Sequence, residues 1–324
     1  MSCPLILPNW KKKGLIFSRK SGLFFRSHTT RPIPFQVDDK TLRLFFSSRN
    51  ADDIPFPSYI DVDINDPMRV LYSHETPMMY LGRTGTFDDS GITPVSILTE
   101  GVGSPLMYYV GWKRRRYGAT IETSIGVAKI SRDYTSLERI FEGPIISQDR
   151  FHPILTAAPF VVPSGRGYRM WYCSGSEWTQ QLHGPEMVYT VHHAWSSDGL
   201  SWENFSVEPT IKRKHHDEVI SAPWVIKLAC GSFLMWYSYR GIATIKAKNY
   251  MVGLATSDDG IVWHRRDSDV GIRRSVTGWD SEMICYPAII NINDKTYMFY
   301  SGNGVGLSGI GYALADRRLD MVKW

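Results

Sequence analysis

Three acidic residues share one register of the chain. Asp89, Glu218 and Glu282 each stand five positions ahead of a proline, at Pro94, Pro223 and Pro287. Asp88 and Asp217 sit one position earlier, and Asp280 lies close by. Carboxylates gathered in this way suit chemistry at a glycosidic bond. One acts as acid and the other as base or nucleophile, about 5–5.5 Å apart for retention and about 6.5–9.5 Å for inversion. Two further prolines break the pattern. Arg26, His28 and Arg31 precede Pro32, and Arg150 and His152 precede Pro159. Like charges collected without partners cost stability, and interleaved Arg and His reduce that cost. The mixture suits a ligand with many hydroxyls and an anionic group. Glu218, Glu282 and Asp89 are the candidate catalytic residues of this register. Asp88, Asp217, Asp280, His28, Arg31, Arg49, Trp112, His152, Trp178, Arg240, Tyr286 and Asn303 are candidates for substrate contact.

What brings such residues together is an internal repeat. MYYVGW at 107–112, MWYCSG at 170–175, MWYSYR at 235–240 and MFYSGN at 298–303 are copies of one fragment, and LFFSSR at 44–49 is a weaker one. Their first residues are spaced by 63, 63, 65 and 63 positions. Ahead of each copy stands a proline followed by apolar residues, at Pro94, Pro159, Pro223 and Pro287, with Pro32 or Pro34 in the first unit. Behind the copies come AWSSDGLSW at 194–202 and ATSDDGIVW at 255–263. Asp-Gly between strand-like runs is a strong hairpin signal.

Each unit reads as four antiparallel strands rich in aromatic and β-branched residues, with no long helical periodicity. Five units predict an all-β, five-bladed propeller with four-stranded blades, a single domain over 1–324. The blades fall at about 26–85, 86–148, 149–213, 214–277 and 278–316. The spare strand at 14–20 is expected to close the ring on the last blade, which removes exposed edges. The start of strand one and the end of strand two share a face. At that face the ends of strand two carry Arg49, Trp112, Gly175, Arg240 and Asn303. The Met-aromatic stripes themselves are core, alternate residues facing neighbouring blades, and each Asp of an Asp-Gly pair is a turn residue.

Composition narrows the partners. The chain has 324 residues, 37 basic and 32 acidic, and 43% hydrophobic residues, enough for a large core. No apolar run has the ~18 residues of a membrane helix. The basic runs Lys11-Lys12-Lys13 and Arg114-Arg115-Arg116 lack interleaved aromatics, which argues against nucleic-acid binding. Cys3, Cys173, Cys230 and Cys285 include no CxxC pair, and the N-terminus is not a secretory signal. A cytoplasmic protein with free thiols is expected. Adjacent His215 and His216 point oppositely in an extended segment, so neither a metal nor a cofactor is expected. The oligomeric state is left open.

The order Pro-apolar, MWY-Ser, then Ala-x-Ser-x-Asp-Gly-x-x-Trp resembles the five-bladed propeller glycoside hydrolases. These include family 43 arabinanases and xylosidases, invertase-like enzymes and family 130 phosphorylases. The resemblance spans about 14–315. FDDSGITPV at 87–95, HDEVISAPW at 216–224 and GWDSEMICYP at 278–287 look like segments of bacterial glycosidase-like propellers associated with surface-polysaccharide synthesis. The resemblance implies a catalytic Asp at the start of blade one, yet FRSHTTRPIPF carries no acid there. It also implies a general-acid Glu from a middle blade, for which Glu177 is the match. The leading expectation is a glycosidase-type enzyme acting on a saccharide. The alternatives are a phosphorylase or transferase, and a non-catalytic sugar-binding propeller.

Overall fold

The structure is a computed structural model that describes residues 6–114, 121–181, 184–203, 205–241 and 249–322. The N-terminal strand β1 (Trp10–Phe17) precedes blade one, built from β2 (Ser27–Gln36), β3 (Thr41–Arg49), β4 (Pro55–Asp63) and β5 (Val70–Ser73). Blade two comprises β6 (Ile92–Leu98), β7 (Leu106–Arg114), β8 (Ile121–Ile130) and β9 (Leu137–Arg139). Blade three comprises β10 (Leu155–Ser164), β11 (Gly167–Gln181) and β12 (Gly184–Ser196). Blade four comprises β13 (Glu218–Lys227), β14 (Phe233–Gly241), β15 (Met251–Ser257) and β16 (His264–Arg265). Blade five has β17 (Cys285–Ile292), β18 (Lys295–Ser301) and β19 (Ile310–Ala315).

The protein is an all-β, five-bladed propeller. Strands pair antiparallel in chain order within blades, except that β1 completes blade five in the order β1-β19-β18-β17. The closing strand thus begins earlier than 14–20, with Trp10 opposite Ala315 and Phe17 opposite Ile310. Blade three has three strands, and a bridge between Trp195 and Glu203 marks its outer edge.

The second strand of each blade explains how the ring packs. Side chains alternate across a strand, so neighbours in the Met-aromatic stripe enter different interblade cores. Met107 and Tyr109 pack with Phe45 and Tyr59 of blade one, while Tyr108 packs with Met170 and Tyr172 of blade three. Trp236 joins Trp10, Met298 and Tyr300, while Met235 and Tyr237 join Trp171 and Cys173. Phe46 completes the fifth core with Phe299 and Tyr312. Each such fully buried side chain contributes about 1.5–3 kcal/mol.

The Asp-Gly turns add polar ties to these seams. Asp198 Oδ1 accepts the backbone N–H groups of Leu200 and Ser201 at 2.8 and 2.7 Å, and Asp259 Oδ1 does the same for Ile261 and Val262 at 2.7 and 2.9 Å. Gly199 and Gly260 both take φ near +75°, which only glycine adopts without strain. The carbonyl of Gly199 then accepts Tyr108 Oη of blade two at 2.7 Å, and that of Gly260 accepts Trp171 Nε1 of blade three at 2.8 Å.

The central channel differs at its two ends. One end is an apolar cavity of about 350 Å³ lined by inner-strand residues such as Ile33, Val161, Val225 and Ile289, with Met321 beside them. The other end sets charged and hydroxyl side chains among aromatic and aliphatic ones and holds the candidate site. No described helix is long and apolar enough to cross a membrane.

Candidate active site

The site begins with the inner-strand prolines. Four residues that immediately precede them adopt left-handed backbone: Arg31 (φ 60°), Ala158 (φ 50°), Ala222 (φ 51°) and Tyr286 (φ 56°). The ladder loses register around each, between Thr30 and Ile33, Ala157 and Phe160, Ser221 and Trp224, and Cys285 and Ala288. Blade two slips between Pro94 and Ser96. Such a bulge leaves a residue unpaired and re-aims the side chains before it. A proline there gives up an N–H that the ladder does not use. Non-glycine residues held in this region cost of order 1–3 kcal/mol each, and such strain persists where the surrounding structure over-determines it.

The re-aimed residues form one ring. Thr30, Arg31, Thr93, Ala157, Ser221 and Tyr286 make the floor of a cavity of about 510 Å³ at the face where strand one starts and strand two ends. Ser47, Arg49, Val110 and Trp112 from β3 and β7 form one part of the wall. The long β11–β12 hairpin supplies Trp178, Glu186, Met187 and Tyr189.

Charge is distributed unevenly around this pocket. Glu186 is the one carboxylate among its described lining residues, and its Oε2 accepts Arg240 Nη2 at 3.3 Å. Burial opposes the charge of Arg240, but the Tyr250 and Tyr189 hydroxyls and Glu186 outweigh it and raise its pKa. Arg49 pairs with Asp53 at 2.7 Å. His28, hydrogen-bonded through Nδ1 to Ser27 Oγ at 2.8 Å, is pushed down to about 4 by burial and by the Arg49 charge. Arg31 lies over the Tyr286 ring, 4.1 Å from its centroid, and makes no ion pair among the described residues. Burial drives the Tyr286 hydroxyl well above its usual range. The hydroxyls of Thr30, Ser47 and Thr123 are buried with no partner among the described residues. Trp112 Nε1 donates to Thr93 Oγ1 at 3.1 Å, which fixes the indole at the wall.

Of the residues expected from sequence, Arg31, Arg49, Trp112, Trp178 and Tyr286 line this pocket, and Arg240 reaches it through Glu186. The registered acids do not line it. Glu218 is buried and held bidentate by Arg265, at 2.6 and 2.9 Å. Asp88 accepts Tyr109 Oη at 3.1 Å and Arg139 Nε at 2.8 Å. Asp280 accepts Tyr300 Oη at 2.9 Å and Lys12 Nζ at 2.6 Å. Asp217 is buried next in the chain to Glu218. Asp89 accepts Gly85 N at 2.8 Å and Ser90 Oγ at 2.7 Å within its own turn. Glu282 is exposed, its N–H donating to Asn303 Oδ1 at 2.8 Å. Glu177 pairs with Arg213 at 2.9 Å, and His152 lies between Asp149 and His192.

The reason is physical. Three of these acids neutralise cations between strands, and in blades two and five they also accept the hydroxyl of the strand-two tyrosine. Counting five positions back from the proline passes over the bulge, so the residues that line the pocket are one and two positions back. Thr30, Thr93 and Ser221 could have been found at that register. Glu186 has no counterpart among the described residues of the other blades; its signal in the sequence was the longer interval between strands two and three of blade three.

These features define a five-bladed propeller of the type seen in glycoside hydrolases. A solved structure titled glycoside hydrolase superposes with a TM-score of 0.75 at 17% identity, covering 95% of this chain and 92% of that one. A second, from a study of family 130 glycoside hydrolases that target β-1,2-mannosidic linkages in Candida mannan, gives 0.70 at 14% identity over 97% and 95%. At such identities the likeness is one of fold. The chain belongs to the family of the uncharacterized protein Rv1502 of Mycobacterium tuberculosis (strain ATCC 25618 / H37Rv), with 31% identity over 310 residues, 95% of this chain and 99% of the relative. No family model matches the chain.

Proposed function

We propose that the axial pocket takes a saccharide and cleaves or transfers its glycosidic bond, with Glu186 handling the proton. One observation carries this reading: indole walls at Trp112 and Trp178 enclose the Arg31 guanidinium and a carboxylate at Glu186. Indole and phenol faces pack on the C–H faces of a sugar ring, while polar groups at fixed positions read its hydroxyls. The volume of about 510 Å³ is in the range of small-ligand sites. Glu186 Oε2 is 3.3 Å from the Arg240 guanidinium, which holds the carboxylate in place. Glu186 takes the proton of an attacking water or acceptor hydroxyl as the new bond to the anomeric carbon forms, and the departing glycosidic oxygen takes a proton from solvent water as its bond breaks. The likeness of fold to glycoside hydrolases supports this reading.

A second reading is a sugar-binding propeller without turnover. It is favoured by the same Glu186–Arg240 pair, because no second carboxylate lines the pocket among the described residues. A panel of nitrophenyl glycosides and oligosaccharides, with and without inorganic phosphate, separates the two. Turnover by the wild type that disappears in Glu186→Gln supports the enzyme. Saccharide binding without turnover establishes the second reading. Neither binding nor turnover overturns both.

A further inference from the structure

We infer that the blade-one side of the pocket is a subsite for a carboxylate carried on the saccharide, so that the ligand is a sugar acid. The inference rests on the saccharide reading above and narrows its substrate class. The charges of the pocket are matched except at one place. Arg49 faces Asp53 and Glu186 faces Arg240, whereas Arg31 has no anionic partner among the described residues. Tyr286 covers one face of the Arg31 guanidinium from the neighbouring blade. Stacking of that kind leaves the in-plane N–H fork available, and the fork matches a carboxylate bidentately.

Two hydroxyls lie directly behind the subsite. Thr30 adjoins Arg31 in the chain, and Ser47 is the cross-strand partner of Thr30. Both hydroxyls are buried and unpartnered, and Ser47 has no solvent exposure at all. Neither oxygen is open to the pocket, so they lie behind its surface and the guanidinium fork of Arg31 is the contact that carries the subsite. The backbone is committed as well. Arg31 holds φ at 60°, and its N–H donates to Ser301 Oγ of blade five at 3.1 Å. One unmatched guanidinium balances a single negative charge. That favours a carboxylate over the doubly charged phosphate ion.

The test is a binding comparison on the full chain by calorimetry or ligand-observed NMR. Glucuronate and galacturonate are paired with glucose and galactose, and acetate and inorganic phosphate serve as free anions. At least one acid is expected to bind about tenfold or more tightly than its neutral partner, as a charge-assisted bidentate pair requires. Arg31→Gln should abolish that preference, and Arg31→Lys should restore only part of it. Equal affinity for acid and neutral sugar overturns the carboxylate subsite and leaves the saccharide reading standing. So does binding of phosphate with no preference among sugars, or a preference that survives in Arg31→Gln. Failure of every sugar to bind overturns the saccharide reading itself. If Arg31→Gln does not fold, the wild-type comparison alone still decides the carboxylate.

Discussion

The Arg31 guanidinium and the Tyr286 ring face each other at 4.1 Å across the seam between the first and last blades. Each precedes an inner-strand proline, and each holds a left-handed φ. Part of the pocket floor is therefore made by the same closure that completes the ring. Integrity of the site and integrity of the closure are coupled.

That coupling predicts the behaviour of Lys12→Ala. Lys12 Nζ reaches Asp280 Oδ2 at 2.6 Å from the closing strand, and Asp280 also accepts the Tyr300 hydroxyl. Removing the cation leaves a buried carboxylate partly unmatched, at an expected cost of about 1–3 kcal/mol. Hydrogen exchange should show lost protection in β1 and β19 before other strands. Sugar affinity should weaken with it, although Lys12 does not line the pocket. Unchanged exchange in β1 would contradict the coupling.

Glu186→Gln separates binding from chemistry. Its side chain keeps nearly the same shape and loses the charge opposite Arg240. Turnover is expected to fall about 10²–10⁴-fold, the range for general acid–base groups. Affinity for the unreacted saccharide should change far less. Rates and binding constants measured on one substrate decide the point.

The registered acids should act on stability. Glu218→Gln leaves the buried Arg265 with Asp267 alone, at 2.8 Å, and should cost about 2–4 kcal/mol in denaturant unfolding. Glu282→Gln changes an exposed side chain and should stay within about 0.5 kcal/mol of wild type. A loss of turnover in Glu282→Gln without loss of stability would return that residue to the catalytic set.

Acid should weaken the fold through blade three. Burial depresses both His192 and His193 to about 4 from 6.5. The unfolded imidazole takes its proton near pH 6.5, whereas the folded one waits until about pH 4. Stability is therefore full above pH 6.5 and falls between pH 6.5 and 4, by up to about 1.4 kcal/mol per pH unit for each imidazole. Urea midpoints measured from pH 7 to 4.5 should show this slope, and His192→Gln should reduce it.

The fold was legible because its signals are local and repeated. Asp198-Gly199 and Asp259-Gly260 name their turns, and the stripes beginning at Met107, Met170, Met235 and Met298 name the second strands. The site was only half legible. Alternation gives the facing of a side chain only while the ladder stays in register, and the inner strands lose register beside their prolines. Arg31 drew notice as a cation directly ahead of Pro32, and Tyr286 stands in the same place ahead of Pro287. Thr30 and Ser221, one position earlier, carry no charge to draw notice. Glu186 lies on the long β11–β12 hairpin, outside the fragments by which the repeats are matched.

The pairing of Trp10 with Ala315 also bears on how the chain is made. About three hundred residues separate the two, and at about 5–20 residues per second β1 leaves the ribosome some 15–60 s before its partner exists. Through that interval it is a strand without a sheet. Lys11 and Lys13 are exposed in the finished ring, and a charged edge discourages pairing with the wrong chain. The basic run near the N-terminus is thus suited to guard a waiting strand during synthesis. A nascent chain that stops short of β19 lacks the neighbour on which β1 docks.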